Sequence, residues 1–318
     1  MFLISLSAII CSPRTIYTTA LSASTKSLST KASCVSPIIA AKEALNFMGK
    51  AKFLDGSWGL DKTRDHFKEF KEGRIPGSAW FDLDDISDHS SPLPHMLPSA
   101  QYFSQRVSEL GISSSDHIIV YVQPDVFSAA RVWWTFRVFG HSRVSILDGG
   151  LSAWKREGGE VETGEWEKPA MGNFAAELDS RFVVDVNDVL KVVEDGSAQI
   201  LDTRSSGRFL GTAPEPKPYL TGGHMPGALS LSHTLLTLPG DLTSYRPVEE
   251  MKKVLEETGV VYEGDSRVIA TCGSGVTAAT LVLAMHLQGK ELKDVPIYDG
   301  SWSEWGDQRT RSDLPIIK

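Results

Sequence analysis

Short apolar runs ending in aspartate alternate along this chain with longer segments of helical spacing. "FLDGSW" around Asp55, "SILDGG" around Asp148, "ILDTRS" around Asp202 and "PIYDGSW" around Asp299 are the clearest. Strand-length runs that alternate with helices predict an α/β fold built on a mostly parallel sheet. "RVIATC" (267–272) reads as a buried strand and "TAATLVLAMHL" (277–287) as an apolar helix. "VNDVLKVVE" (186–194) reads as an amphipathic helix that Asp185 can N-cap, with Asp188 adding negative charge to its first turn.

The pattern then repeats. "GRIPGSAW" returns as "GHMPGALS", "HIIVYV" as "SRVIAT", and "VSILDGGLSAW" as "VPIYDGSWSEW", each about 150 residues later. A fixed separation across several segments indicates internal duplication. Each half is expected to run from a helix through a strand to the IPG or MPG turn, then helix, central strand, helix and a last strand ending in "DG". The Gly- and Glu-rich stretch "REGGEVETGEWEKPAMGN" lacks periodicity. The expected organisation is a presequence over 1–36, a first unit over 37–158, a linker over 159–178 and a second unit over 179–318.

Composition adds limits. A chain of 318 residues, 41% hydrophobic and 23% charged, suits two domains of ordinary size. A net charge of −8 without a basic cluster argues against nucleic-acid binding. No apolar run approaches the roughly 18–20 residues a membrane span requires. Before Glu43 the only charged residues are Arg14, Lys26, Lys31 and Lys42, amid many Ser and Thr. That composition predicts a mitochondrial transit peptide, with a cytosolic tail and a secretory segment over Phe2 to Cys11 as alternatives. Cys11 and Cys34 fall in this segment, which leaves Cys272 as the one cysteine of the folded part. A single thiol makes neither an intrachain disulfide nor a cysteine-rich zinc site.

Cys272 stands where a strand ends and a helix is about to begin, in the loop "TCGSGVT" (271–277). Backbone N–H groups converge at such a position and the helix dipole adds positive charge, so an anion, here a thiolate, is favoured. Gly273 and Gly275 let the backbone curl round the sulfur. The alternative is an inert cysteine that serves as a small buried hydrophobe. Aligning the halves through Gly140 and Gly289 puts Gln123 opposite Cys272, so the first half carries no nucleophile. Trp133, Trp134, Phe136 and Phe139 read as core or interface residues.

The doubled unit, the paired turns and the strings "SPLPHMLP", "RVWWTFRVFGH", "GRFLGTAPEP" and "ATCGSGVTA" resemble the tandem-domain rhodanese superfamily over about 38–305. The resemblance implies two tandem rhodanese-like domains, each a mostly parallel sheet flanked by helices. It implies sulfur transfer through a persulfide on Cys272, in an active-site loop of Gly273, Ser274, Gly275, Val276 and Thr277. Family phosphatases have arginine six residues after the cysteine, where this chain has Ala278. Members that use thiosulfate have basic residues directly after the cysteine, where Gly273 and Ser274 are neutral. The implied donor is therefore 3-mercaptopyruvate, with thiosulfate as the alternative.

Arg208 matches the family's carboxylate-binding arginine, and Lys217 stands where animal enzymes have a second one. Ser274, His95 and Asp84 match a proton relay; Asp84 is chosen from a cluster of aspartates because it lies eleven residues before His95. The implied acceptors are thioredoxin, small thiols, cyanide or a protein sulfur carrier, and the alternative to free turnover is a sulfur-relay protein that hands the persulfide to a partner, as in tRNA thiolation. No metal or organic cofactor is implied.

Overall fold

The computed structural model describes residues 35–261 and 266–318. The expected presequence, with Cys11 and Cys34, lies outside the described residues except for its last two positions. The first half runs β1 (Ile38–Ile39), α1 (Ala41–Ala44), β2 (Lys52–Asp55), α2 (His66–Glu72), β3 (Ala79–Trp80), α3 (Ala100–Glu109), β4 (Ile118–Tyr121), α4 (Ala129–Val138), β5 (Val144–Leu147) and α5 (Gly150–Arg156). The second runs β6 (Val183–Val184), α6 (Val186–Asp195), β7 (Gln199–Asp202), α7 (Ser206–Phe209), β8 (Leu229–Ser230), β9 (Thr237–Leu238) and β10 (Asp241–Tyr245). It continues through α8 (Val248–Glu257), β11 (Val268–Thr271), α9 (Ala278–Leu287), β12 (Ile297–Tyr298) and α10 (Ser301–Trp305).

Two five-stranded sheets result, ordered β1-β5-β4-β2-β3 and β6-β12-β11-β7-β8. Every pairing within them is parallel. The topologies are identical, as the repeats require. Beyond the expected order lie the opening strands β1 and β6, the strands β3 and β8 after the turns, the helices α2 and α7 before them, and α5 and α10 after the last strands. Two-residue strands contain too few positions for a readable alternation. The β9–β10 hairpin has no counterpart in the first half; it crosses to the end of β5, where Asp148 accepts the Tyr245 N–H (2.9 Å) and the Thr243 carbonyl accepts the Gly149 N–H (3.0 Å).

Strand register corrects one alignment. Asp55 pairs with Tyr121 as Asp202 pairs with Thr271, so Val122 occupies the place of Cys272 and Gln123 follows it. The carbonyls agree: Val122 accepts the Leu151 N–H and Cys272 the Trp302 N–H. The first loop reaches its helix one residue later than the second, so an alignment through the helix-end glycines slips by one.

Local signals explain the other elements. Asp185 accepts the N–H groups of Asn187 and Asp188 while Asp188 returns a bond to the Asp185 N–H, a complete capping box that starts α6. Residues 157–179 contain no helix and pack along the first half, with Phe174 buried and the Gly172 N–H on the Ser108 carbonyl (2.7 Å). In α9 all residues from Ala278 to Met285 are buried, the condition a helix apolar on every side must satisfy. It meets that condition by packing against α4, which contributes Trp133, Trp134 and Phe136. These residues and Phe139 join one core that spans both halves. Each large apolar side chain fully buried there contributes ~1.5–3 kcal/mol.

The central strand ends differ in charge. Asp202 is paired with Arg204 (2.6 Å), whereas Asp55, equally buried, has no ion pair among the described residues and is held by neutral groups, chiefly Ser57 and Gln123. Burial pushes the Asp55 carboxyl up to about 6, opposed by the bonds from Ser57 and Gln123. Below the unfolded value of 3.8 the group is protonated in both states and costs nothing. Between that value and about 6 only the unfolded chain ionises the group, so stability falls across this window by on the order of 2–3 kcal/mol and is level above it. Urea unfolding of wild type and Asp55→Asn at pH 4.5 and 7.5 should therefore show the stability difference shifting toward the variant by about 2 kcal/mol at the higher pH, part of the loss being already present at pH 4.5.

Candidate functional site

β11 delivers Cys272 to the C-terminal edge of its sheet, 2% exposed, six positions before α9 begins at Ala278. The first turn of α10 takes the loop's carbonyls. Cys272 O accepts the Trp302 N–H (2.9 Å), and Gly273 O accepts the Ser303 N–H (2.8 Å) and hydroxyl (2.7 Å). With these carbonyls turned inward, no N–H from 273 to 277 donates to a protein acceptor among the described residues. This set of free donors at the start of a ten-residue helix favours negative charge at Sγ. The Cys272 N–H is directed to Ser301 Oγ (3.3 Å), whose own proton goes to the Tyr298 carbonyl (2.7 Å). Ser301 has φ +49°, a conformation glycine adopts more easily, but glycine lacks the hydroxyl that both contacts use.

The two glycines act differently. Gly275 has φ +76°, and a Cβ there would lie 2.7 Å from Arg131 Nη1 and 3.0 Å from Asp299 Oδ1, so backbone and space both demand glycine. Gly273 is not left-handed, which corrects the expectation of two unusual backbones. Its constraint is Arg208, whose Nη2 would lie 3.2 Å from an added Cβ.

The first half brings a relay to this loop. His95 Nδ1 is 2.9 Å from Ser274 Oγ and Nε2 is 2.9 Å from Asp84 Oδ1, joining residues 179 positions apart. The same Asp84 oxygen accepts the Trp58 indole N–H (3.0 Å). The His95 hydrogen bond holds the Asp84 carboxyl below its usual range, with burial opposing. An ionised carboxylate only accepts, so a ring carrying one proton holds it on Nε2 and can accept the Ser274 hydroxyl proton at Nδ1. The order is serine, imidazole, carboxylate. His95 is itself left-handed at φ +60° and packs edge-on against Trp58 with centroids 4.4 Å apart.

Arg131 of α4 ties these parts together. It is 1% exposed and reaches Asp299 Oδ1 (2.8 Å), the Gly275 carbonyl (3.1 Å) and the His95 carbonyl (2.6 Å). Asp299 Oδ2 accepts the Leu97 N–H (2.7 Å). Neither residue stands out in the sequence. Its available signals were a lone arginine in an apolar helix and the recurrent "DG" at the strand end.

Cys272, Gly273, Ser274, Val276 and Thr277 line a pocket of about 560 Å³ with His95, Asp84, Arg208, Lys217, Trp58 and His233. Thr277 Oγ1 meets Thr203 Oγ1 at 2.9 Å. Arg208, 18% exposed, directs Nε (3.0 Å) and Nη2 (2.5 Å) to Glu215 Oε2, which leaves Nη1 without a protein partner among the described residues. Glu215 Oε1 binds Arg204 (2.8 Å), which stacks 3.9 Å above the Trp302 ring. Glu215 thus orients Arg208 and was also missed. Lys217 is exposed at the pocket, has no ion pair among the described residues, and lies 5.8 Å from the Tyr219 ring centroid.

A doubled parallel sheet with a cysteine cradle at the C-terminal edge of one copy defines the rhodanese class. The Rhodanese-like domain family model matches residues 40–157 and 185–308, and the chain belongs to that family. It is 42% identical over 257 residues to human 3-mercaptopyruvate sulfurtransferase, covering 80% of this chain and 84% of that protein. It is 39% identical over 286 residues to mitochondrial thiosulfate/3-mercaptopyruvate sulfurtransferase 1 of Arabidopsis thaliana, covering 83% and 73%. The solved structure of SseA from Escherichia coli, described as a 3-mercaptopyruvate sulfotransferase, matches with a TM-score of 0.74 and 36% identity, covering 85% of this chain and all of that one.

Removing one member of a buried ion pair strands the other, at a typical cost of ~3–5 kcal/mol. Arg131→Met should lower unfolding free energy in urea by about that amount. Asp299→Asn keeps the shape but can accept only one of the two hydrogen bonds and leaves the Arg131 charge buried without a carboxylate, so it should cost a similar amount.

Proposed function

We propose that the protein is a sulfurtransferase that takes sulfur from 3-mercaptopyruvate onto Cys272 and passes it to a thiol, cyanide or a protein acceptor. The observation that carries this reading is one pocket in which Cys272, the Ser274–His95–Asp84 relay and Arg208 face the same space. Cys272 thiolate attacks the donor's sulfur, and the sulfur–carbon bond breaks with its electron pair passing into the ketone as the enolate of pyruvate. As that bond breaks, the donor's S–H proton passes through the Ser274 hydroxyl to His95 Nδ1, with Asp84 stabilising the imidazolium, and then returns by the same route to the enolate, while Cys272 holds the sulfur as a persulfide. Arg208 Nη1 supplies a cationic donor for the carboxylate, and Lys217 adds charge at the mouth.

Thiosulfate is the second reading, favoured by the two donors in the Arabidopsis relative's name. Against it stands Gly273: a basic side chain there would begin 3.2 Å from the Arg208 guanidinium. The first 36 residues are assigned as a mitochondrial targeting segment, 37–158 as a domain without nucleophile, 159–178 as a linker and 179–318 as the catalytic domain. Thioredoxin, or a protein sulfur carrier, is the proposed physiological class of acceptor.

A donor panel on the mature chain should favour mercaptopyruvate over thiosulfate, and mass spectrometry should find one added sulfur, on Cys272. Cys272→Ser should fold normally and carry none. Arg208→Ala should lower kcat/KM for mercaptopyruvate by about 10- to 100-fold, a loss of about 1.4–2.8 kcal/mol, and affect thiosulfate less. Equal loss for both donors would remove Arg208 from the specificity argument. A fluorescent reporter fused to residues 1–36 should enter mitochondria, and a diffuse or secreted reporter would reject the targeting assignment.

A further inference from the structure

The pocket contains a second imidazole, from the second half, that the donor chemistry leaves unused. His233 follows β8, lines the same cavity as Cys272 and packs against Phe127 at 5.3 Å between centroids. The Thr203 carbonyl accepts its backbone N–H (3.1 Å) and its Nδ1 (3.3 Å). A carbonyl cannot donate, so Nδ1 bears the proton. Burial pushes the ring below the ordinary histidine range, and the nearby Arg208 charge adds to this against the Thr203 bond, so the ring is neutral and Nε2 presents a lone pair. Nε2 has no protein partner among the described residues. His95 differs, because both of its nitrogens are engaged by Ser274 and Asp84.

The second half of the cycle needs such a group. An ordinary thiol, with pKa about 8.5, arrives mostly protonated at neutral pH, and only the thiolate attacks sulfur effectively. We propose that His233 is the base that takes the proton of the acceptor thiol, an inference that rests on the persulfide reading above. The acceptor's S–H bond breaks as its proton passes to Nε2, and the resulting thiolate bonds to the outer sulfur of the persulfide. The bond between that sulfur and Cys272 Sγ breaks, and its electron pair returns to Cys272 as thiolate. The acceptor leaves as a persulfide and the imidazolium gives its proton to water. One sulfur atom moves, and no external oxidant or reductant is required.

The test separates the two half-reactions. The full chain is loaded with 3-mercaptopyruvate, freed of pyruvate, checked for one added sulfur by mass, and then discharged at pH 8 with either 2-mercaptoethanol or sulfite. Sulfite attacks through a sulfur lone pair and has no proton to surrender. His233→Phe, which preserves a ring against Phe127, should load normally, lose on the order of 100-fold in discharge to the thiol, and stay within about threefold of wild type with sulfite. Added imidazole should restore part of the thiol discharge of His233→Ala. Equal discharge of the thiol by wild type and His233→Phe overturns the role of His233 and leaves the persulfide reading intact. Equal loss with thiol and sulfite also overturns it, since that pattern belongs to a residue that only shapes the pocket. Failure of the wild type to acquire sulfur would overturn the persulfide reading itself.

Discussion

The Arg131–Asp299 pair is the contact on which the catalytic arrangement turns. A guanidinium 1% exposed cannot remain charged in a protein interior without a carboxylate and further acceptors, and Arg131 finds them on separate segments. It takes the side chain at the end of β12, the carbonyl of the cysteine loop and the carbonyl of His95. Its planar fork fixes their spacing, which a flexible ammonium could not do. The apolar surfaces of α4 and α9 supply the bulk of the energy joining the halves, but apolar contact is non-directional. The buried pair selects one register from the arrangements such surfaces would allow. The Ser274–His95 bond depends on that register, because its partners come from opposite halves.

Loop conformation follows from the same constraint. Gly275 must bring its carbonyl to Arg131 while leaving no room for a side chain, and this sets the curl that exposes the N–H groups after Cys272. His95 pays with an uncommon backbone conformation, which Arg131 holds by its carbonyl. The uncommon conformation at His95 lies beside the Ser274 contact and is held by a fully buried charge.

Much of this was legible in the sequence, for reasons that differ by element. The long central strands are buried on both faces, so β4 and β11 appear as uninterrupted apolar runs and the duplication is readable from them. Cys272 and its glycines announce themselves locally. Asp84 and His95 became legible only through family resemblance, since nothing in their own segment indicates a serine 179 positions beyond His95. Arg131, Asp299, Glu215 and His233 stayed hidden because each acts through tertiary partners, and a single charge in an apolar helix looks the same whether its partner is catalytic or structural. The β9–β10 hairpin is absent from the repeat that made the other elements recognisable, and the one-residue slip at Gln123 arose because loops of unequal length follow equivalent strands.

The comparison of the halves explains why a duplicated fold has one reactive corner. In the first half the Gln123 N–H is consumed by Ser57 Oγ (2.7 Å), and the Gln123 side chain is tied to Asp55 (2.8 Å) and the Gly73 carbonyl (2.9 Å). Ser128 takes the Trp58 N–H and returns its proton to the Gly56 carbonyl. The first donor after the strand is thus spent inside the loop, and Val122 stands where a nucleophile would be. In the second half Arg204 neutralises Asp202, α10 takes the loop carbonyls, and the N–H groups of 273–277 remain free. Freed from holding an anion, the first half uses the same region for support: Trp58 binds Asp84, Phe127 flanks His233, and α4 sends out Arg131. One copy supplies the cysteine loop and the other the His95–Asp84 pair that meets it, so the proposed site draws on both halves.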